Sequence, residues 1–266
     1  MYLLAIETTG AFASVALAKT EIENGEVKSF EIIGHIDGHD RFSHLQNLTP
    51  QIQQVLSENA LSIGDVSMIA TSVGPGSFTG IRIGVSTTRA LSQALGVPCA
   101  AVPSLEAMAL RQIVLRTVSD HGTLICPIID ARRNQIYGGG FRAEEEERIE
   151  ETIKAGPYMV DEFIEKIRSA VAEAADNGAA FDRALFMGDG IDKYREQIEE
   201  LKASCGLEDM TFAYAEEECR YQDADTVAMI GAELAAAGKV CGFEELKPEY
   251  MRMAEAERKL KEKQKG

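Results

Sequence analysis

The sequence is organised around residues 71–84, TSVGPGSFTGIRIG. The apolar run before the glycines predicts a buried strand, and residues 79–95 have the spacing of a helix that ends at Gly96. A glycine-rich loop between a strand and a helix can present backbone N–H groups to an anion. The stretch therefore predicts an α/β protein with a candidate site where a strand meets a helix.

The loop departs from three known motifs. Gly80 is followed by Ile81 and Arg82, so the lysine of a P-loop is absent. Thr79 stands at the third glycine position of a dinucleotide fingerprint, and a nucleophile elbow around Ser77 would need glycine at that same position. On spacing alone, we expect the glycines to allow a tight turn and close helix packing. The residues assigned to this glycine loop are Gly74, Gly76, Ser77, Thr79 and Gly80.

Charge and composition exclude several classes of function. The 266 residues carry 27 Lys and Arg against 43 Asp and Glu, a formal net charge of −16, which disfavours unaided nucleic-acid binding. The composition is 45% hydrophobic, as in ordinary globular proteins. The five widely spaced cysteines predict reduced thiols, and no signal peptide or membrane span is expected. We therefore expect a cytoplasmic protein.

The pattern of apolar runs predicts two α/β halves. Runs within residues 2–36, with Asn24-Gly25 between the second and third, predict a three-stranded meander followed by a helix. From Ser104 a similar order of helix, strand pair, helix and strand follows, and an Ala-rich helix closes it. The acidic stretch Glu144–Glu151 is interpreted as a solvated loop or edge, and residues 254–266 as an exposed charged tail.

Several segments together resemble the bacterial TsaB (YeaZ) family. The most specific is Gly74–Gly84, followed by Leu95–Pro98 and Val102–Ala107. Further similar segments, in the same order as in the family, are Ala5–Thr9, His44–Pro50, Ile129–Arg132 and Pro248–Arg252. The resemblance covers nearly the whole chain.

The resemblance implies an actin-like, Hsp70-like ATPase (ASKHA) fold of class α/β, with two related lobes of mixed sheets flanked by helices. The expected division is a first lobe of residues 1–104, rejoined by residues 222–253, and a second lobe of residues 105–221. The implied function is in tRNA modification. With TsaD and TsaE, the family supports transfer of threonylcarbamoyl from threonylcarbamoyl-AMP to N6 of the tRNA adenosine 3′ of the anticodon.

The catalytic residues of the related TsaD are not matched here. TsaD has a His-Leu-Glu-Gly-His-like metal element, whose counterpart is Ser104-Leu105-Glu106-Ala107-Met108, so both imidazoles are missing. Glu7 and Phe12 also replace the Asp and glycine turn with which actin-like ATPases begin. We therefore expect a non-catalytic scaffold with no catalytic residue, metal or cofactor of its own. ATP and metal would belong to partner subunits.

The expected partners are TsaD in a heterodimer, TsaE, and a second copy of the chain when it is alone; tRNA would be reached only through the complex. Small and apolar residues on two helices are assigned to that partner or dimer interface, and arginine at Gly84 or Thr87 is expected to break the interface without unfolding the chain. The assigned residues are Leu48, Ile52, Ile83, Gly84, Thr87 and Leu91.

Two other classes of function stay open. A metal-dependent or serine hydrolase (a peptidase) would need Ser77 or the cluster of His35, His39 and His44, and a nucleotide-binding module would need the glycine loop to hold phosphate. Because His35 and His39 are read as strand and loop, their spacing does not bring them together as a helix would, and a polar, helix-capping loop is favoured over a metal site.

Four single residues each have both a functional and a structural interpretation. Asp130 could be an acid or base but is more often part of a turn, as is Asp189 between two glycines. Cys99 at a strand start is assigned to core packing. Arg82 is the positive charge beside the glycine loop and could bind a partner carboxylate or phosphate, although an exposed helical arginine is the default.

Overall fold

A computed structural model describes residues 1–38, 44–118, 121–144 and 148–251, without the side chains of His44 and Leu45. The elements of the first half are β1 (Tyr2–Glu7), β2 (Ser14–Glu23), β3 (Glu26–Asp37), α1 (His44–Glu58), β4 (Val66–Gly74), α2 (Phe78–Leu95), β5 (Cys99–Pro103) and α3 (Ser104–Val114). Those of the second are β6 (Thr123–Arg132), β7 (Gln135–Glu144), β8 (Arg148–Met159), α4 (Val160–Asp176), β9 (Arg183–Met187), α5 (Gly190–Ser204), β10 (Thr211–Tyr214) and α6 (Ala224–Ala236).

The two halves repeat one topology. The first sheet has the order β3-β2-β1-β4-β5 and the second β10-β9-β6-β7-β8, which is the same order when strands are counted within each half. In each sheet the first three strands form an antiparallel meander and the other two are parallel to the first strand. Helices α1, α2 and α3 therefore have α4, α5 and α6 as their counterparts, so the two helices of each pair can be compared directly.

Alternation along β1 explains the two layers of helices on the first sheet. Leu3 and Ala5 point to one face, where they pack with α6, and Leu4 and Ile6 point to the other, where they pack with α1. The second sheet repeats this arrangement, with α4 and α5 on one face and α3 on the other. Because α3 packs on the second sheet and α6 on the first, the two helices link the halves.

Local signals predicted most of these elements correctly. Asn24 and Gly25 have φ of 53° and 81°, as a two-residue hairpin turn requires, and Gly96 ends α2 with φ of 69°. Residues 148–151 of the acidic stretch begin β8, which is an edge strand of the second sheet. The sequence did not predict β8, α5 or β10, and the division into lobes at residue 104 stays a prediction. The tail, residues 254–266, lies outside the described residues.

None of the helices within the described ranges is both long and apolar enough to cross a membrane.

Candidate functional site

The glycine loop packs directly on the turn that follows β1. The Ser77 amide donates to the carbonyl oxygen of Thr9 at 2.8 Å, and the Thr8 hydroxyl donates to the carbonyl oxygen of Gly80 at 2.8 Å. A Cβ on Gly76 would lie 2.5 Å from the Thr9 oxygen, and one on Gly80 would overlap the Thr8 carbonyl. The glycines thus permit close approach of backbone to backbone, as their spacing predicted.

Ser77 begins α2. Its side-chain oxygen accepts a hydrogen bond from the Gly80 amide at 3.2 Å, which makes Ser77 the N-cap of the helix. Its carbonyl oxygen accepts from the Ile81 amide at 2.8 Å. The side chain that a serine hydrolase would use as nucleophile therefore has a structural role here.

Glu7 is fully buried beneath the glycine loop. Its carboxylate accepts hydrogen bonds from the amide and the hydroxyl of Thr9 and from the hydroxyl of Ser72. Burial raises the pKa of Glu7, and the hydrogen bonds from Ser72 and Thr9 oppose that effect. The carboxylate at the position where actin-like ATPases hold phosphate and metal is thus engaged with its own chain.

The counterpart of the TsaD metal element contributes two residues to the core. Ser104 is fully buried with its oxygen 3.0 Å from that of Thr9, and Met108 is 1% exposed in the cluster beneath α3. Glu106 instead lines a cavity of about 370 Å³ between the halves. Burial and the nearby Glu151 raise the pKa of Glu106. Ser104 and Met108, the two positions where the resemblance to TsaD leads one to expect imidazoles, therefore face away from solvent.

His35 joins the edge of the first sheet to the start of α6. Its Nε2 lies 2.9 Å from Asp37, and its Nδ1 lies 2.7 Å from Asp225. Asp223 caps α6 by accepting from the Asp225 amide and pairs with Arg111 at 3.2 Å. The sequence reading missed both α6 carboxylates, which are distant in the chain. His39 and the side chain of His44 lie outside the described residues.

The same cluster has the spacing of a cation site. One ligand atom each of His35, Asp223 and Asp225 lie within 4.8 Å of one another. However, the hydrogen bonds to Asp225 and Asp37 raise the pKa of His35 to about 10. In this structure the imidazole pairs with Asp37 and Asp225, so the geometry described is that of an ion-pair cluster.

Replacing His35 by Gln should reduce stability in a pH-dependent way. The folded pKa of about 10 exceeds the ordinary 6.5, so the stabilisation is complete below pH 6.5 and is lost as pH rises towards 10. Because Asp37 and Asp225 are partly exposed, we expect about 2 kcal/mol rather than the full linkage value. Urea denaturation of both proteins near each end of that range measures the difference. A difference that does not shrink towards the alkaline end would contradict the assignment.

Asp130 holds a tight turn between β6 and β7. Its carboxylate accepts from the Arg132 amide at 2.7 Å and the Tyr194 hydroxyl at 2.8 Å, and the Asp130 amide donates to Asp189 at 2.9 Å. Burial alone would raise the pKa of Asp130, but the bonds from Tyr194, Arg132 and Lys193 outweigh it and lower the pKa. Residues 132–134 have left-handed φ of 64°, 56° and 62°. The turn interpretation of Asp130 is confirmed.

The residues assigned to the partner interface divide by exposure. Leu48 and Ile52 are 2% and 5% exposed, and both pack on the first sheet. Ile83, Thr87 and Leu91 are half-buried along α2. Leu48 and Ile52 therefore hold α1 in place, and any contact with a partner has to be made by their exposed neighbours. The assignment of the interface to these two helices stays a prediction.

The expectation for Gly84 needs correction. Gly84 is buried and faces β4 and the turn after β1: a Cβ there would overlap the Thr8 hydroxyl and lie 3.2 Å from that of Thr71. An arginine at Gly84 would therefore separate α2 from the sheet and unfold the first half. The expectation that this variant would leave the fold intact is wrong, because periodicity alone did not show which face of α2 carries the glycine.

The exposed faces of α1 and α2 are almost without charge. Helix α1 carries Glu58 as its one acidic residue, and α2 carries only Arg82 and Arg89. Their counterparts α4 and α5 present many exposed charges. The exposed uncharged residues of α1 and α2 include Gln46, Thr49, Gln53, Gln54, Ser57, Thr79, Ser86, Ala90, Gln93 and Ala94. Those charged and exposed on α4 and α5 include Asp161, Glu162, Glu165, Lys166, Arg168, Asp192, Lys193, Arg195, Glu196, Glu199 and Glu200.

An aromatic and cationic cluster continues this face at the start of α2. Phe78 and Tyr250 are 40% and 38% exposed, with ring centroids 5.0 Å apart. The Arg82 guanidinium lies 4.1 Å from the centre of the Phe78 ring, and its Nε donates to the Tyr250 hydroxyl at 3.0 Å. Exposed Phe, Tyr and Arg side chains held in place by one another are typical anchors of protein interfaces.

The two related sheets, the meander in each and the glycine loop define an actin-like (ASKHA) ATPase fold. Two solved structures of Pseudomonas aeruginosa proteins share it. YeaZ superposes with a TM-score of 0.66 at 22% identity, and an uncharacterized protein with similarity to peptidase YeaZ with a TM-score of 0.71 at 24% identity. Each comparison covers 94% of this chain and 99% of the other.

Sequence comparison shows which family with this fold the chain belongs to. Residues 41–260 match the family model described as TsaD, tRNA N6-adenosine threonylcarbamoyltransferase. The tRNA threonylcarbamoyladenosine biosynthesis protein TsaB of Bacillus subtilis is 29% identical over 266 residues, the full length of both chains. TsaB of Escherichia coli is 31% identical over 145 residues, 54% of this chain and 57% of that protein. The chain belongs to this family, among its TsaB (YeaZ) members.

Proposed function

We propose that this chain is a non-catalytic scaffold that activates a TsaD-type transferase in tRNA threonylcarbamoyladenosine synthesis. In this proposal TsaD, together with TsaE, transfers threonylcarbamoyl from threonylcarbamoyl-AMP to N6 of the tRNA adenosine 3′ of the anticodon. The names of the relatives support the pathway. The role within the pathway rests on the residues of this chain.

The observation that carries the proposal is the low charge of the exposed face of α1 and α2, where Glu58, Arg82 and Arg89 are the charged residues. In a chain of net charge −16, exposed helices are expected to carry charges, as α4 and α5 do. Depletion of charge is the compositional signal of the buried centre of a protein interface. Since α4 and α5 have the same place in the other half, the fold does not require this difference in charge. We attribute the difference to a partner that covers α1 and α2. The occupant we propose is TsaD in the complex and a second copy of this chain in its absence.

The buried residues beside the glycine loop and at the start of α3 support a non-catalytic role. Glu7 is bonded within the chain, and the Ser104 and Met108 side chains are buried in the core. These positions therefore lack the free carboxylate and the imidazoles that phosphate and metal chemistry would use. We propose that ATP and metal are held by partner subunits. The acidic surface of this chain likewise favours tRNA contact through a partner.

Reconstitution of tRNA modification tests the proposal. TsaD, TsaE, tRNA and threonylcarbamoyl-adenylate are combined with and without the full chain, and modified adenosine is measured by mass spectrometry. We expect modification to depend on the chain and to be absent when the chain replaces TsaD. Equal modification without the chain, or modification by the chain alone, would contradict the scaffold role.

A further inference from the structure

Two cysteines far apart in the sequence face each other across a single β-bridge. The Cys99 amide donates to the carbonyl oxygen of Cys241 at 2.8 Å, and the Cys241 amide donates to that of Cys99 at 2.9 Å. Cys99 begins β5, the edge strand of the first sheet, so Cys241 lies on an otherwise open edge. The bridge fastens the start of residues 241–251, here called the C-terminal strap.

The strap crosses the glycine loop and ends at the uncharged helix face. Leu246 is 1% exposed and packs with Val73 and Ile81, and the Glu249 amide donates to the carbonyl oxygen of Val73 at 2.8 Å. Tyr250 then stacks on Phe78 of α2. The position of the strap therefore bears on the loop and on the first turn of α2.

The backbone geometry brings the two thiols within reach of a bond. Residues that exchange both hydrogen bonds in an antiparallel pair have Cα atoms about 5.5 Å apart. Disulfides join Cα atoms about 4.4–6.8 Å apart. Both cysteines contact one apolar cluster, so their side chains share a face. Their Cβ atoms are about 5.5 Å apart in such a pair, more than the ~3.8 Å of a relaxed disulfide.

We propose that Cys99 and Cys241 form a reversible disulfide that clamps the C-terminal strap to β5. Because the bridge is isolated, the strap can twist to close the bond without breaking a ladder of strand pairing. The twist leaves strain, and strained disulfides are readily reduced. The pair therefore has the character of a redox-sensitive modification site. This inference does not depend on the proposed function.

The bond would form by thiol–disulfide exchange with glutathione disulfide. Half-buried Cys241 is the accessible thiol: its thiolate attacks one glutathione sulfur and expels glutathione thiolate. The thiolate of buried Cys99 then attacks the Cys241 sulfur and expels the second glutathione. Two cysteine thiols are oxidised, one glutathione disulfide is reduced, and the two protons pass to the two glutathiones. Burial raises the pKa of both thiols, so exchange is faster at mildly alkaline pH.

Incubation of the full chain with glutathione disulfide, followed by thiol counting in denaturant and a non-reduced peptide map, tests the proposal. We expect the wild type to lose two of its five thiols and to yield one cross-link between the peptides of Cys99 and Cys241. Cys219→Ser, which removes another half-buried thiol, should lose two of its remaining thiols and keep the cross-link. Cys99→Ser should yield a mixed disulfide of Cys241 with glutathione and no cross-link between Cys241 and another cysteine.

Retention of all five thiols at alkaline pH would overturn the proposal, as would bonds between other cysteines. Hydrogen exchange of backbone amides tests separately whether the disulfide holds the C-terminal strap against the sheet. The Cys241 and Glu249 amides, which donate to β5 and β4, should exchange at least tenfold more slowly in the cross-linked protein. Unchanged exchange would refute the clamp even if the bond forms.

Discussion

Gly80→Ala should destabilise the protein by about 2–4 kcal/mol, even though the helix propensity of alanine is more favourable than that of glycine by about 1 kcal/mol. Gly80 is a buried residue in the first turn of α2, and its Cβ would overlap the backbone carbonyl of Thr8. Backbone cannot move aside as the end of a flexible side chain can. The turn after β1 and the start of α2 would have to separate, which also lengthens the Thr8–Gly80 hydrogen bond. Thermal and urea denaturation followed by circular dichroism measure the loss.

Gly242→Ala is the matched control, because a Cβ there meets nothing within 4 Å. It should change the free energy of unfolding by less than about 0.5 kcal/mol. If Gly80→Ala were as stable as this control, the loop would not pack on the β1 turn as described. In that case the backbone N–H groups of the glycine loop would be available to bind an anion.

Local structure was predictable from the sequence where a local cause fixes it. The Asn24-Gly25 hairpin and the end of α2 at Gly96 depend on left-handed residues that glycine and asparagine adopt readily. Helix α5 was missed because Ile191, Tyr194 and Ile198 are its few buried apolar side chains, set among charged residues. Strand β8 was missed for a related reason: residues 148–151 belong to the acidic stretch interpreted as a solvated loop or edge, and residues 152–159 received no assignment, since the acidic run conceals the alternation.

The arrangement of the candidate site was less predictable than the fold. His35 pairs with Asp225, 190 residues away, and Arg82 contacts Tyr250, 168 residues away. Such contacts depend on how the two halves and the strap pack, which residue spacing does not encode. The interface assignment selected apolar positions of α1 and α2, and Leu48 and Ile52 proved to be core. The proposed interface rests instead on the low charge of the exposed positions of α1 and α2, which becomes visible only when these helices are compared with α4 and α5.

Ala90→Arg should weaken association with TsaD by about 30-fold or more, roughly 2 kcal/mol, while leaving stability within about 0.5 kcal/mol of the wild type. Ala90 is exposed near the centre of the uncharged α2 face, and arginine is a good helix former. In a complex that covers this face, the guanidinium would lose its hydration without a partner. Size-exclusion co-elution and calorimetric titration with TsaD measure the effect, and thermal denaturation measures stability.

Glu200→Arg on α5 separates a covered face from a general change of charge. Glu200 is exposed on the counterpart of α2, and its replacement changes the net charge by two units where Ala90→Arg changes it by one. Long-range electrostatics would therefore change binding more in Glu200→Arg, in a direction set by the partner's charge, whereas burial of α2 predicts the larger loss in Ala90→Arg. Equal losses of binding in the two variants would refute the proposal that TsaD binds the face formed by α1 and α2. A loss confined to Ala90→Arg, in a protein that still folds, follows only if α2 is covered in the complex.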